Sequence, residues 1–272
     1  MVGQRILILS SGGVQIPLDT YIPEVSSEID AKPRRRSVVI CPGGGYHFLS
    51  QRESEPVALA FAAAGFNVFV VWNRVAPYRF PLPQQDAAAA VAHVRTHADE
   101  YHANPDQIAI LGFSAGGHLA GSLGTLWHRP EYWQEMGLAC ESVRPNAMVL
   151  CYPVLSGGVY AHRDSFINLC GTDALDVHAR HSVDRWVTPC CPPTFLWHTF
   201  DDEAVPVQNS LLMAQALAEA GVRTELHVFP HGGHGSSLCS APSSGVVNPQ
   251  FNDAYNAQWL PMAQTFLNHV MA

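Results

Sequence analysis

Apolar residues fall along this chain in two rhythms: short dense runs alternate with longer stretches whose apolar positions recur at helical spacing. The dense runs Arg5–Ser10, Ile16–Pro23, Ser37–Gly45, Asn67–Val75, Gln107–Ser114, Asn146–Val154, Pro193–Thr199 and Glu225–Pro230 predict strands. Between them, helices are predicted over 53–66 (closed by Gly65), 83–102 (stopped by Asn104–Pro105), 115–127, 209–221 and 256–270. Strand runs that stay apolar on consecutive positions belong to a sheet covered on both sides. The alternation therefore predicts an α/β fold: a mostly parallel, twisted central sheet with helices on both faces. Residues 155–188 and 236–256 fit neither rhythm and read as excursions at one edge of the sheet, a reduced cap or pocket wall. No linker or internal repeat divides the chain, so 1–272 is expected to be one domain.

Composition narrows the function. Apolar residues make up 47% of the 272 positions and charged ones only 14%, enough for a large core and few solvated faces. The net charge of −8, with no basic block longer than Arg34–Arg36, argues against nucleic acid and anionic membranes as partners. The N-terminal run MVGQRILILSSGGVQ is shorter in its apolar part than a signal-peptide core, and no stretch has transmembrane length. Seven cysteines without CxxC spacing fit neither a disulfide framework nor a zinc site, and predict free thiols in a reducing cytoplasm. Neither a metal nor an organic cofactor is expected. The oligomeric state is open, a homo-oligomer being compatible with the sequence.

The chemistry begins at "ILGFSAGGHLAGS". GFSAGG has the form G-x-S-x-G with Ser114 at its centre, between a predicted strand and a predicted helix. A serine on so sharp a turn projects its hydroxyl at the carboxyl edge of the sheet. Gly112 and Gly116 are required where strand and helix converge. A turn of glycine and serine alone would do nothing, because a serine hydroxyl is inert without a base. The base is expected after the last strand, in HGGHG: His234 between Gly233 and Gly235, with His231 as rival and His227, inside the strand, as structural. The acid is expected after the preceding strand, where D-x-x-V-P selects Asp202. Asp201 and Glu203 then read as candidates for capping the following helix. The chain order Ser114, Asp202, His234 is one of the known orders of the serine triad.

A second glycine cluster, ICPGGGYHF, follows the third predicted strand. Unshielded glycine N–H groups there could bind an oxyanion; a plain turn is the alternative. A phosphate cradle is disfavoured, since neither G-K-[ST] nor G-x-G-x-x-G is present. Tyr46, His47 and Phe48, just after it, are candidate substrate contacts, as are Arg79, Phe80 and the segment 152–162.

With PGGGY at 42–46, NRVAPYRFPLPQQDAAAAVAHVR at 73–95, GFSAGG at 112–117, DxxVP at 202–206 and GGHG at 232–235, the chain resembles the α/β-hydrolase superfamily. Within it, the likeness is to the small acetyl esterase/lipase-like carboxylesterases related to the hormone-sensitive-lipase group. Pro42 replaces the histidine of the usual HGGG pattern, which brings the chain nearer the acetylxylan-esterase-like subset. The resemblance spans nearly the whole sequence. It implies the α/β-hydrolase fold, an oxyanion hole from the N–H groups of Gly44, Gly45 and Ala115, and hydrolysis of short, acetyl-first esters, acetylated sugars among them. A serine peptidase on the same fold and a non-catalytic binding protein are the alternatives. The triad residue types and the glycine loop argue against the latter.

Overall fold

The computed structural model describes residues 2–272; Met1, which heads the N-terminal run considered above, lies outside them. The elements run β1 (Val2–Leu9), β2 (Gln15–Ile22), β3 (Arg35–Cys41), α1 (Glu55–Ala63), β4 (Asn67–Val71), α2 (Leu82–Thr96), β5 (Ala103–Phe113), α3 (Ala115–Leu126) and α4 (Cys140–Val143). They continue with β6 (Ala147–Cys151), α5 (Arg163–Cys170), α6 (Leu175–Arg180), β7 (Thr194–Thr199), α7 (Gln208–Glu219), β8 (Thr224–Phe229), α8 (Ala241–Ser244) and α9 (Trp259–Val270). All eight strands join one sheet in the order β1-β2-β4-β3-β5-β6-β7-β8. The pairings from β4 through β8 are parallel; β2 runs antiparallel to both β1 and β4. The exception has a simple cause, since only a tight turn at Ser11–Gly13 separates β1 from β2, too short for a parallel crossover.

Alternate residues of each inner strand enter opposite cores. Val39, Ile108 and Ile110 join α2, α3 and α7 on one face, while Val38, Ile40, Ala109 and Leu111 join α1 and α9 on the other. The buried Ala87–Ala90 run lets α2 lie close to the sheet. On that side Arg74 pairs with Asp86 at 2.7 Å, with both side chains buried; Ser10 Oγ–H also donates to Asp86 and Arg74 to Ser11 Oγ, fastening the β1 turn to α2.

Several predicted boundaries move. The strand predicted to reach Gly45 stops at Cys41, and the one predicted to reach Val75 stops at Val71. The helix predicted to His102 ends at Thr96: residues 97–102 form a turn closed by His102 at φ +50°, and Asn104–Pro105 already lie in β5. The stretch 155–188 carries α5 and α6, and 236–256 carries α8.

From β3 the chain moves to β4 on one side, then returns to β5 on the other. Connections therefore diverge above the carboxyl ends of β3 and β5 and leave a crevice there, where open α/β sheets bind ligands. Cys41 pairs with Gly112, so the glycine loop and Ser114 leave the sheet side by side.

Candidate active site

Ser114 sits at the crevice with φ +52° and ψ −118°, a strained conformation for a residue with a side chain. The neighbouring strand and helix leave no choice about its glycines. A Cβ on Gly112 would meet the Gly116 carbonyl at 2.0 Å, and one on Gly116 would meet the Cys41 carbonyl at 2.1 Å. The turn is fixed by Ser114 N–H donating to the Cys151 carbonyl and Val154 N–H donating to the Ser114 carbonyl.

Asp202 and His234 come to this hydroxyl from the ends of β7 and β8. Ser114 Oγ lies 2.7 Å from His234 Nε2, and His234 Nδ1 lies 2.7 Å from Asp202 Oδ2. The other Asp202 oxygen accepts the N–H groups of Ala204 (3.0 Å) and Val205 (2.9 Å). Burial alone would push this carboxyl up, but hydrogen bonds from His198 and His234 outweigh it and hold the group well below the usual carboxylate range. It therefore stays ionised and fixes the proton of His234 on Nδ1, leaving Nε2 as an acceptor for the serine proton. Tyr152 packs edge-to-face with the His234 ring, centroids 5.1 Å apart.

The rivals lie elsewhere. His231 is largely exposed and donates to Asp201, which also accepts the Gly232 N–H, so this second His–Asp pair fastens the loop from outside. Glu203 is exposed, and His227 donates to Glu225 within β8.

The glycine loop presents two N–H groups. Gly43 N–H donates to Glu53, the Gly43 carbonyl accepts from Ser50 N–H, the Gly44 carbonyl from His47 and Phe48 N–H, and the Gly45 carbonyl from Asn168 Nδ2. Because each peptide is planar and trans, pinning a carbonyl aims the following N–H the opposite way. The N–H groups of Gly44 and Gly45 have no protein partner among the described residues. Gly44, at φ +128°, could not carry a side chain, whose Cβ would lie 2.1 Å from the Phe48 carbonyl. Ala115 N–H, at the first position of α3, has no intrahelical partner either.

These groups border a cleft of about 460 Å³, with His47, Phe48, Arg52, His162, Asp164 and Asn168 on its walls. Burial and, next, the proximity of His234 hold His162 below the usual imidazole range. Three expected contacts are corrected. Tyr46 does not face the cleft: at φ +57° its side chain turns into the core, 4% exposed, and its hydroxyl bonds His118 Nδ1 at 2.8 Å. Phe80 packs on Tyr132, His181 and Trp186, with Arg79 against Gly171, both outside the cleft. The sequence reading missed Glu53 and Asn168. A glutamate just ahead of a helix and an asparagine in an aperiodic stretch carry no signal of their own.

A serine with an imidazole acceptor, beside free N–H groups at a crevice, can carry out nucleophilic acyl transfer. Comparison with known proteins places the chain in a family. The BD-FAE family model matches residues 18–217. The endo-1,4-beta-xylanase B of Butyrivibrio fibrisolvens is 34% identical over 85% of this chain, and the acetylxylan esterase of Xylanibacter ruminicola 31% identical over 75%. The chain spans 36% and 41% of the length of those two relatives. Among solved structures, the acetyl ester-xyloside bifunctional hydrolase of Caldicellulosiruptor lactoaceticus superposes with TM-score 0.79 at 37% identity, covering 94% of this chain and 89% of that one. With a family match across most of its length and the fold agreeing, the chain belongs to the BD-FAE family and has the α/β-hydrolase fold.

Proposed function

We propose that this chain is a serine carboxylesterase that hydrolyses short, acetyl-first esters, acetylated sugars among them, through an acyl-enzyme. The observation that carries the reading is the unbroken relay from Ser114 Oγ through His234 to buried Asp202, both contacts at 2.7 Å, next to the free N–H groups of the glycine loop. His234 Nε2 takes the Ser114 proton as Oγ attacks the ester carbonyl. The oxyanion rests on the N–H groups of Gly44, Gly45 and Ala115, each donor of this kind contributing about two to three powers of ten in turnover. His234 then returns its proton to the departing alkoxide. Water repeats the sequence and frees the acid.

The polar walls around Arg52, His162, Asp164 and Asn168 suit a hydroxylated alcohol, with His47 and Phe48 as further contacts. The names of the relatives point the same way. Both cores draw on residues from early strands to late helices, which supports one catalytic domain with 155–188 as pocket wall. All seven cysteines are free, which supports a reducing compartment, the cytoplasm in our reading. Among the described residues, no helix is long and apolar enough to cross a membrane.

The test is initial rates on p-nitrophenyl acetate, wild type beside Ser114→Ala, followed by acyl-length and sugar-acetate series. Loss of several powers of ten in the variant is expected. Equal rates in both would sink the reading.

A further inference from the structure

Glu53 is 2% exposed and contributes to the floor of the cleft, yet the acyl-transfer steps above give it no part. Among the described residues no cation pairs with it. A buried carboxyl group in that position is costly unless its oxygens are bonded, and an apolar side chain would fill the space without that cost. Both oxygens are bonded, to groups that belong to different parts of the site. Oε2 accepts the Gly43 N–H at 2.8 Å, and Oε1 accepts the Tyr152 O–H at 2.7 Å.

Each bond leads to a reacting group. Gly43 begins the glycine loop and is held at both its N–H, by Glu53, and its carbonyl, by Ser50 N–H, so the residue just ahead of the Gly44 N–H is fixed on both sides. Tyr152 packs edge-to-face with His234, and its hydroxyl accepts the Ser237 N–H at 2.9 Å. The adjacent Arg52 completes the grip on the His234 loop: its guanidinium donates to the Gly235 carbonyl at 2.7 Å, and its own carbonyl accepts the Ser237 hydroxyl at 2.6 Å. The fit against the loop is close, for a Cβ on Gly43 would lie 2.7 Å from Glu53 Oε2.

We infer that Glu53 is a positioning residue which, through its two carboxyl oxygens, holds the glycine-loop donors and His234 in one register. The inference rests on the esterase reading above. Only a carboxyl group offers two acceptor oxygens to two donors from different elements. Glutamine keeps one acceptor and can take the Gly43 N–H while turning its amide toward the tyrosine oxygen. Alanine leaves both donors unpaired.

The test compares Glu53→Gln and Glu53→Ala with wild type and Ser114→Ala on p-nitrophenyl acetate, with kcat and KM read separately at a temperature well below each measured Tm. Misplacing reacting groups by about 1 Å costs on the order of a hundredfold. The expected result is kcat down about tenfold in the glutamine variant and about a hundredfold in the alanine variant, with KM within about threefold of wild type in both. A loss confined to KM, a loss that vanishes on cooling, or wild-type kcat in Glu53→Gln overturns the inference. Should the alanine variant fail to fold, the glutamine variant decides alone. If Ser114→Ala is inactive while Glu53→Gln has wild-type kcat, the inference fails and the esterase reading stands. If Ser114→Ala retains wild-type kcat, both fall.

Discussion

Asp202→Asn separates the charge of this side chain from its shape. In the native protein Oδ1 accepts two backbone N–H groups, from Ala204 and Val205, and Oδ2 faces His234 Nδ1. An amide can keep its oxygen on the two N–H groups or turn it toward His234. Turning it leaves the buried Val205 N–H unpaired, at about 1–3 kcal/mol, releases the more exposed Ala204 N–H to solvent, and regains one bond of about 1 kcal/mol. The amide therefore settles with its NH2 toward His234, favoured by up to about 2 kcal/mol. The imidazole must then accept at Nδ1, so its proton moves to Nε2, facing Ser114 Oγ. A protonated Nε2 cannot take the serine proton. The same substitution in a serine protease triad costs about four powers of ten in kcat, which corresponds to about 5.5 kcal/mol in the barrier. The assay is kcat on p-nitrophenyl acetate at neutral pH, beside His231→Ala as the control for the exposed pair. We expect a fall of three to four powers of ten for Asp202→Asn and a change within about twofold for His231→Ala. A folded Asp202→Asn enzyme within tenfold of wild type would refute the assigned relay, and a large loss in His231→Ala would move the base to the outer pair.

Gly116→Ala drives a Cβ into the Cys41 carbonyl at 2.1 Å, where only backbone can yield; a Tm lower by about 5 °C or more, or insoluble protein, is expected by thermal melting. Arg74→Ala strands the buried Asp86 carboxyl and should cost about 3–5 kcal/mol in urea unfolding, more than any substitution of the exposed Arg34. Burial pushes His118 down to about 4 from 6.5, so the unfolded chain takes up its proton first as pH falls. That contribution is complete above about pH 6.5 and is lost as pH drops toward 4, on the order of 3 kcal/mol in all. Urea midpoints between pH 7 and pH 4.5 should fall more steeply in wild type than in His118→Gln.

The sheet and the meeting of Ser114, His234 and Asp202 are legible in the sequence because each depends on local pattern. Buried strands must be apolar, Ser114 needs small neighbours on its turn, and the loops after β7 and β8 carry the D-x-x-V-P and GGHG stretches. What escapes is direction. Tyr46 follows Gly45 immediately and looks like a pocket residue, but its positive φ sends the ring inward to His118. Nothing in the sequence between Thr96 and Asn104–Pro105 breaks helix α2, and only the pairing of Ala103 with Arg35 in the sheet shows why it stops where it does. Glu53 and Asn168 are out of reach for another reason: their meaning lies in partners 10 and 123 residues away.

Asn168 belongs to α5, the helix that also offers Asp164 to the cleft, and its amide holds the Gly45 carbonyl. On the proposed reading, the surface that would contact the alcohol and the loop that would stabilise the oxyanion are thus parts of a single mechanical piece. Selection on such an enzyme cannot treat preference and speed as separate traits. A change in α5 that admits a new alcohol would also shift Gly45, the residue whose N–H is one of the proposed oxyanion donors. Variants with altered preference should therefore arise together with altered turnover, and restoring the rate should require second changes along α5 or the glycine loop rather than in the triad.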